Sequence, residues 1–169
     1  MTPANWLVDN LDVIPRGGTV LDVACGSGRH ALFLAERGWR VHAVDRDAVA
    51  LGHVRQVGQV GLVGEITIEC IDLESGIPML GEALFDAVIV FNYLHRPLMP
   101  AIVRALRPGG VLIYETFTVA QALRGRPRNP DFLLKDGELL SLVAPLRVLR
   151  KREGNYDGKF LASVVAVKA

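Results

Sequence analysis

Two glycines at spacing two, Gly26 and Gly28, follow an acid in the run Val20-Leu21-Asp22-Val23-Ala24-Cys25. With no Cβ, glycine lets the chain turn sharply and lets a ligand approach the main chain closely. A helical pattern begins at Arg29, so this turn feeds the unpaired N–H groups of a helix start toward such a ligand. A second acid, Asp45, stands 17 residues after Gly28, near the interval at which nucleotide-binding α/β folds put a carboxylate on ribose hydroxyls. Farther on, Tyr93 and His95 follow another apolar run and offer a phenol and an imidazole, groups that orient an acceptor or take its proton. Tyr114-Glu115, at the end of a third apolar run, could face the same acceptor. Arg124, Arg126 and Arg128 bring three guanidinium groups to a Pro/Gly-rich stretch, a possible counter-charge for an anion.

The spelling Gly26-x-Gly28-x-x-Ala31 satisfies the dinucleotide fingerprint, so a nicotinamide or flavin site is one alternative. Asp22 argues against it. A carboxylate four residues before Gly26 would repel a pyrophosphate, whereas it suits a ligand with a positive centre and a free amino group, such as S-adenosylmethionine (SAM). At Leu21-Asp22-Val23-Ala24-Cys25-Gly26-Ser27-Gly28 the chain resembles the class I SAM-dependent methyltransferases. The stretch Gly26-Ser27-Gly28-Arg29 with Leu32-Phe33-Leu34-Ala35-Glu36-Arg37-Gly38 is similar to the small tellurite-resistance and thiopurine-type members.

The resemblance implies SAM as cofactor, with S-adenosylhomocysteine as product. It places Asp22, Ala24, Cys25, Gly26 and Gly28 around the cofactor, Asp45 on its ribose, Asp72 with Leu73 at its adenine, and Arg46, Phe91 and Asn92 among its other contacts. Family members that methylate exocyclic amines of bases carry Asn or Asp, two prolines and an aromatic after the fourth strand. Phe91-Asn92-Tyr93-Leu94-His95-Arg96 departs from that pattern, and neither Cys25 nor Cys70 stands where a cytosine C5 nucleophile would.

Elements that could hold these residues alternate along the chain. Asn5 to Val13 reads as a short amphipathic helix covering an edge. Strands are expected at Thr19–Ala24, Arg40–Asp45, Glu65–Ile71, Phe85–Phe91 and Val111–Glu115, and helices at Arg29–Arg37, after Asp47 as N-cap, and at Pro100–Leu106. A loop containing Pro78 precedes the fourth strand, and Arg107-Pro108-Gly109-Gly110 reads as a turn before the fifth. Asp86, at the start of the fourth strand, reads as structural, and His42 as a packed or surface histidine. Asp131–Val143 has a helical apolar pattern. Two closing strands, Leu146–Glu153 and Lys159–Lys168, flank the turn Gly154–Gly158. Together they predict a three-layer αβα sandwich of α/β class, built on a mostly parallel seven-stranded sheet with an antiparallel C-terminal strand.

The 169 residues suit one domain, residues 1–169, and half of them are apolar, as strands buried on both faces require. No apolar run approaches the ~18 residues of a membrane span, and no basic leader precedes residue 14. Two cysteines make no disulfide framework, which points to the cytoplasm. A net charge of +1 gives no whole-protein attraction to nucleic acid or membrane. The expected activity is methyl transfer to a small-molecule acceptor (thiol, chalcogen, hydroxyl or similar), by a monomer or homodimer without metal. The alternatives are an RNA or protein methyltransferase using the Arg124–Arg128 loop, an NAD(P)-binding oxidoreductase, and a SAM-binding protein without turnover.

Overall fold

The computed structural model describes residues 1–76 and 79–169, so Pro78 of the loop before the fourth strand lies outside the described residues. One seven-stranded sheet runs through it, in the order β3-β2-β1-β4-β5-β7-β6. Its strands are β1 (Thr19–Val23), β2 (Arg40–Asp45), β3 (Glu65–Cys70), β4 (Phe85–Phe91), β5 (Leu106–Phe117), β6 (Arg147–Tyr156) and β7 (Lys159–Val167). The first five pair in parallel, while β7 runs antiparallel to both β5 and β6.

The two-residue period of the central strands sends alternate side chains to opposite faces. Leu21, Val23, Val88, Val90 and Leu112 enter one core with α4 (Met99–Ala105) and α5 (Glu138–Leu142). Val20, Ala87, Ile89, Val111 and Ile113 enter the other with α1 (Asn5–Val8) and α2 (Arg29–Glu36), joined by Leu51 of α3 (Ala48–Gly58). This is the expected three-layer sandwich, and its order reverses between β1 and β4. In open α/β sheets such a switch point opens a crevice beyond the carboxyl ends of the strands.

Several boundaries differ from the sequence reading, for local reasons. The segment Asn5–Val13 splits into α1 and a 3₁₀ turn at Leu11–Val13. It lies against a sheet face rather than an edge, since the Trp6 indole donates to the Val164 carbonyl at 3.2 Å. Arg107–Gly110 belongs to a strand that already begins at Leu106, with irregular pairing between Phe85 and Ala87. The helix expected over Asp131–Val143 is confined to Glu138–Leu142. Gly137 takes φ +69°, a conformation no α-helix continues through, and Leu134 pairs with Thr118 as an isolated bridge. The closing hairpin is tighter than expected. Asp157 (φ 56°) and Gly158 (φ 78°) form its two-residue turn, whose twist matches the flanking strands.

Asp86 is structural, as expected. Partial burial works to raise its pKa, but the Thr19 amide at 2.8 Å and the Arg107 guanidinium at 3.0 Å outweigh it and hold the carboxyl below its ordinary value. His42 lies on β2 near the sheet edge, within 2.7 Å of the Thr67 hydroxyl and 3.0 Å of Glu69. Asp47 caps α3, its carboxylate accepting the Val49 and Ala50 amides at 3.0 and 3.1 Å. Its side chain makes no other hydrogen bond there, so Asp47→Ala should cost about 1 kcal/mol in urea unfolding, the usual worth of a carboxylate N-cap.

Candidate active site

The loop between β1 and α2 is built from left-handed backbone: Ala24 has φ 55°, Gly26 φ 55° and Gly28 φ 83°. The two glycines serve different ends. A Cβ at Gly26 would meet nothing within 4 Å, so this peptide borders open space. A Cβ at Gly28 would fall 2.7 Å from a methyl of the buried Val54, so here the absence of a side chain lets α3 close against the loop. Asp45, at the end of β2, locks the turn. One carboxylate oxygen accepts the Gly26 amide at 2.8 Å and the other the Asp47 amide at 2.9 Å.

Asp22 lies beneath the loop and is 2% exposed, and among the described residues its Oδ2 has no hydrogen-bond partner. Burial, with Asp45 adding like-charge repulsion, pushes its pKa up to about 8 against the opposing pull of the Ala31 amide and Arg29. A buried acceptor without a donor is costly, so this oxygen is a vacancy suited to a cationic or N–H-bearing group. Cys25 cannot act as a nucleophile. Burial and the Asp22 and Asp45 carboxylates push its thiol well above the ordinary range. His30 is kept neutral, its pKa lowered to about 3 by burial and then by Arg29. Its Nε2 accepts the Ala4 amide at 3.1 Å and its ring stacks on Phe91 at 4.2 Å.

Ahead of the strand ends opens a crevice of about 490 Å³, within the size range of small-ligand sites. Five of the residues expected around a cofactor line it, Ala24, Asp45, Arg46, Leu73 and Asn92, and make up its cofactor half, or inner part. The remaining lining, with Glu74, Tyr93, Phe117, Pro127 and Phe132, makes up the outer part. Of the residues expected around a cofactor, Cys25 and Phe91 turn to the α2 face of the sheet instead, where both are buried. Asp72 is exposed and its carboxylate accepts the Glu74 amide at 3.0 Å, while its neighbour Leu73 reaches the crevice wall.

Tyr93 and His95 meet on Glu74. The phenol donates to Oε2 at 3.4 Å and His95 Nδ1 lies 3.6 Å from Oε1. Only Tyr93 lines the crevice. Burial and the Glu74 carboxylate raise its pKa, so at neutral pH it is a hydrogen-bond donor and not a base. Tyr114 and Glu115 face elsewhere: the Tyr114 hydroxyl donates to the Tyr93 carbonyl at 2.7 Å, and buried Glu115 accepts from Ser163 at 2.5 Å and Arg152 at 3.1 Å. The three loop arginines are exposed and none lines the crevice; Arg124 lies over Phe160 at 5.5 Å. Glu74 and Phe132, which the sequence reading did not single out, sit where those arginines were expected.

A model of the methyltransferase domain matches residues 20–110, more than half of the chain. The chain belongs to the SAM-dependent methyltransferase family. The dinucleotide alternative falls with that match. The chain is 37% identical over 103 residues to a protein-L-isoaspartate O-methyltransferase of Ruegeria sp. (strain TM1040), covering 61% of the chain and 46% of that protein. It is 36% identical over 118 residues to a trans-aconitate 2-methyltransferase of Azoarcus sp. (strain BH72), covering 67% of the chain and 40% of that protein. The chain thus spans less than half the length of either relative. In fold it is similar to a SAM-dependent methyltransferase from Methanosarcina mazei, with TM-score 0.76, 16% identity and 99% of both chains covered. Among the described residues no helix is long and apolar enough to cross a membrane.

The two glycines of the loop should separate by mutation. Gly28→Val, and even Gly28→Ala, should lower the thermal midpoint by forcing α3 off the loop. Gly26→Ala should cost only the ~1 kcal/mol of a left-handed alanine. Thermal melts of the two alanine variants, read by circular dichroism, check the order.

Proposed function

We propose that this domain transfers a methyl group from SAM to a small-molecule acceptor bound in the outer crevice. The unpartnered Asp22 oxygen beneath an open glycine loop is the observation that carries the reading. Asp22 would take the amino group of SAM, with the Gly26 peptide beside it. Asp45 and Arg46 would meet the ribose hydroxyls, the carboxylate having lone pairs left after its two amide bonds. Leu73 and Asn92 would wall the adenosine. Asp72 would reach the adenine amino group only by giving up its bond to the Glu74 amide.

Bound there, SAM supplies an electrophilic methyl on a sulfonium, displaced in line by the acceptor. The chain positions the acceptor and excludes water, the contributions that orientation makes to such a step. Tyr93 gives its one proton to Glu74, which leaves its oxygen to accept a hydrogen bond from the acceptor, and the Glu74–His95 pair lies behind it for an acceptor that must lose a proton. One relative is named for a small acceptor, trans-aconitate, and the other for a protein. The crevice favours the small molecule: its mouth is bounded by Pro127 and Phe132, while the exposed arginines lie outside it.

The raised pKa of Asp22 gives a pH test. An acid shifted from 3.8 to about 8 keeps a proton in the folded state that the unfolded chain has already released. Without ligand, stability should therefore fall as pH rises from about 4 to about 8. Asp22→Asn should remove that slope and stabilise the free domain at pH 8, on the order of a few kcal/mol, while weakening SAM binding. Binding of SAM at pH 7 should release a proton, seen by calorimetry in two buffers of different ionisation enthalpy. Asp45→Ala should weaken SAM by roughly 1.5–3 kcal/mol. Undiminished SAM affinity in both variants would overturn the assignment.

A further inference from the structure

One aromatic side chain at the crevice mouth is held there by a device that cofactor binding does not require. Phe132 lines the crevice and yet is 49% exposed, an apolar face left open to the cavity. It sits in a short 3₁₀ turn, Pro130–Phe132, that packing alone holds weakly. Arg96, just beyond the end of β4, grips that turn from both sides of Phe132. Its Nη1 donates to the Asp131 carbonyl at 3.3 Å and its Nη2 to the Leu133 carbonyl at 3.0 Å. The same guanidinium forms a two-pronged pair with Glu138, Nε to Oε2 at 2.5 Å and Nη2 to Oε1 at 2.8 Å. Glu138 also accepts the Lys135 amide at 2.9 Å, and these bonds, Arg96 first, hold its carboxyl at about 2 against partial burial. Five donors in a rigid fork make Arg96 suited to fix a loop in one geometry.

We propose that Arg96 is a positioning residue for the acceptor, holding Phe132 as a shelf for a molecule with an apolar, preferably aromatic, body. The inference rests on the methyl-transfer reading above and names the acceptor class within it. Phe117 at the end of β5, with Pro127 and Phe132 of the segment after it, lines the crevice, and none of that segment's three arginines does. Its wall is therefore apolar, and it selects against a small anion. The acceptor's ring lies on Phe132, leaving its nucleophilic atom toward Tyr93 and the inner crevice. That atom's lone pair forms the new bond to the methyl carbon as the carbon–sulfur bond breaks. The pair of electrons stays on sulfur, and any acceptor proton passes to solvent or to the Glu74–His95 pair.

Matched probes of similar nucleophilicity test this: benzyl mercaptan, ethyl mercaptan and 3-mercaptopropionate, offered to the domain saturated with S-adenosylhomocysteine (binding) or SAM (turnover). The expected result is binding in the order benzyl, ethyl, mercaptopropionate. Phe132→Ala should raise the Kd and KM of benzyl mercaptan by roughly 5- to 10-fold, the worth of one aromatic contact, and leave SAM affinity unchanged. Arg96→Gln should do the same in the wild-type background and add nothing to Phe132→Ala, because it acts through that ring. A merely structural Arg96 would instead give additive losses and weaker SAM binding. Absence of benzyl mercaptan binding, preference for mercaptopropionate, or an unchanged Kd in Phe132→Ala overturns the shelf. Loss of the methyl-transfer reading would show separately, as failure of the wild-type domain to bind SAM.

Discussion

The hydrogen bond from the Gly26 amide to the Asp45 carboxylate ties together the two loops from which the site is made. It crosses from the turn after β1 to the end of β2, and the second Asp45 oxygen carries it on to the amide of Asp47, whose own side chain caps α3. α3 then returns through Val54 to close on Gly28. Loop, strand end and helix form a closed ring of contacts, so the left-handed residues Ala24, Gly26 and Gly28 are over-determined by their surroundings. Strain of that kind persists only where the neighbours enforce it. Here they enforce a floor of bare peptide next to the crevice-lining Ala24 and Asp45, with a buried, unpaired carboxylate beneath it.

That floor sets stability against binding. A fold free of ligand demands would place an apolar residue at position 22, between Val20 and the rest of the α2-face core. The carboxylate remains, protonated over much of the neutral range, as a group whose desolvation is repaid only when a donor arrives. The outer crevice follows another rule. Its polar groups are already paired, Tyr93 with Glu74 and Arg96 with Glu138, so what it offers a second molecule is shape and apolar area. One half of the crevice is electrostatically hungry and the other electrostatically satisfied.

Much of this was legible in the sequence because it is local. Buried parallel strands read as unbroken apolar runs, and acids and glycines at their ends mark the side where a ligand binds. Asp47 as a cap and Asp86 as a structural acid follow from their positions alone. What was hidden depends on which way a side chain points. Phe91 and Glu115 fall on the strand parity that faces α2, while Cys25, beyond the end of β1, is turned to that face by the left-handed Ala24 and against the parity of Leu21 and Val23. Charge marks the arginines of the Arg124–Arg128 loop in the sequence, whereas two uncharged residues, Pro127 within it and Phe132 beyond it, line the crevice. Arg96 and Glu138 lie 42 residues apart, and nothing in their local sequence announces that they meet. The helical pattern over Asp131–Val143 was real as periodicity, but Gly137 and the Arg96 grip on the carbonyls of Asp131 and Leu133 hold the segment in other shapes.

The bond between the Trp6 indole and the Val164 carbonyl spans 158 residues. Asn5 likewise reaches Asp157 in the hairpin turn at 2.9 Å. During synthesis this partner of the first helix is made 158 residues after it, so α1 waits for β7 before it takes its place. The residues just before α1 cross the glycine loop, through Ala4 to His30 and Met1 to Ser27. An order of assembly is thereby written into the site: the segment that crosses the glycine loop settles only once β7, far along the chain, is there to hold α1.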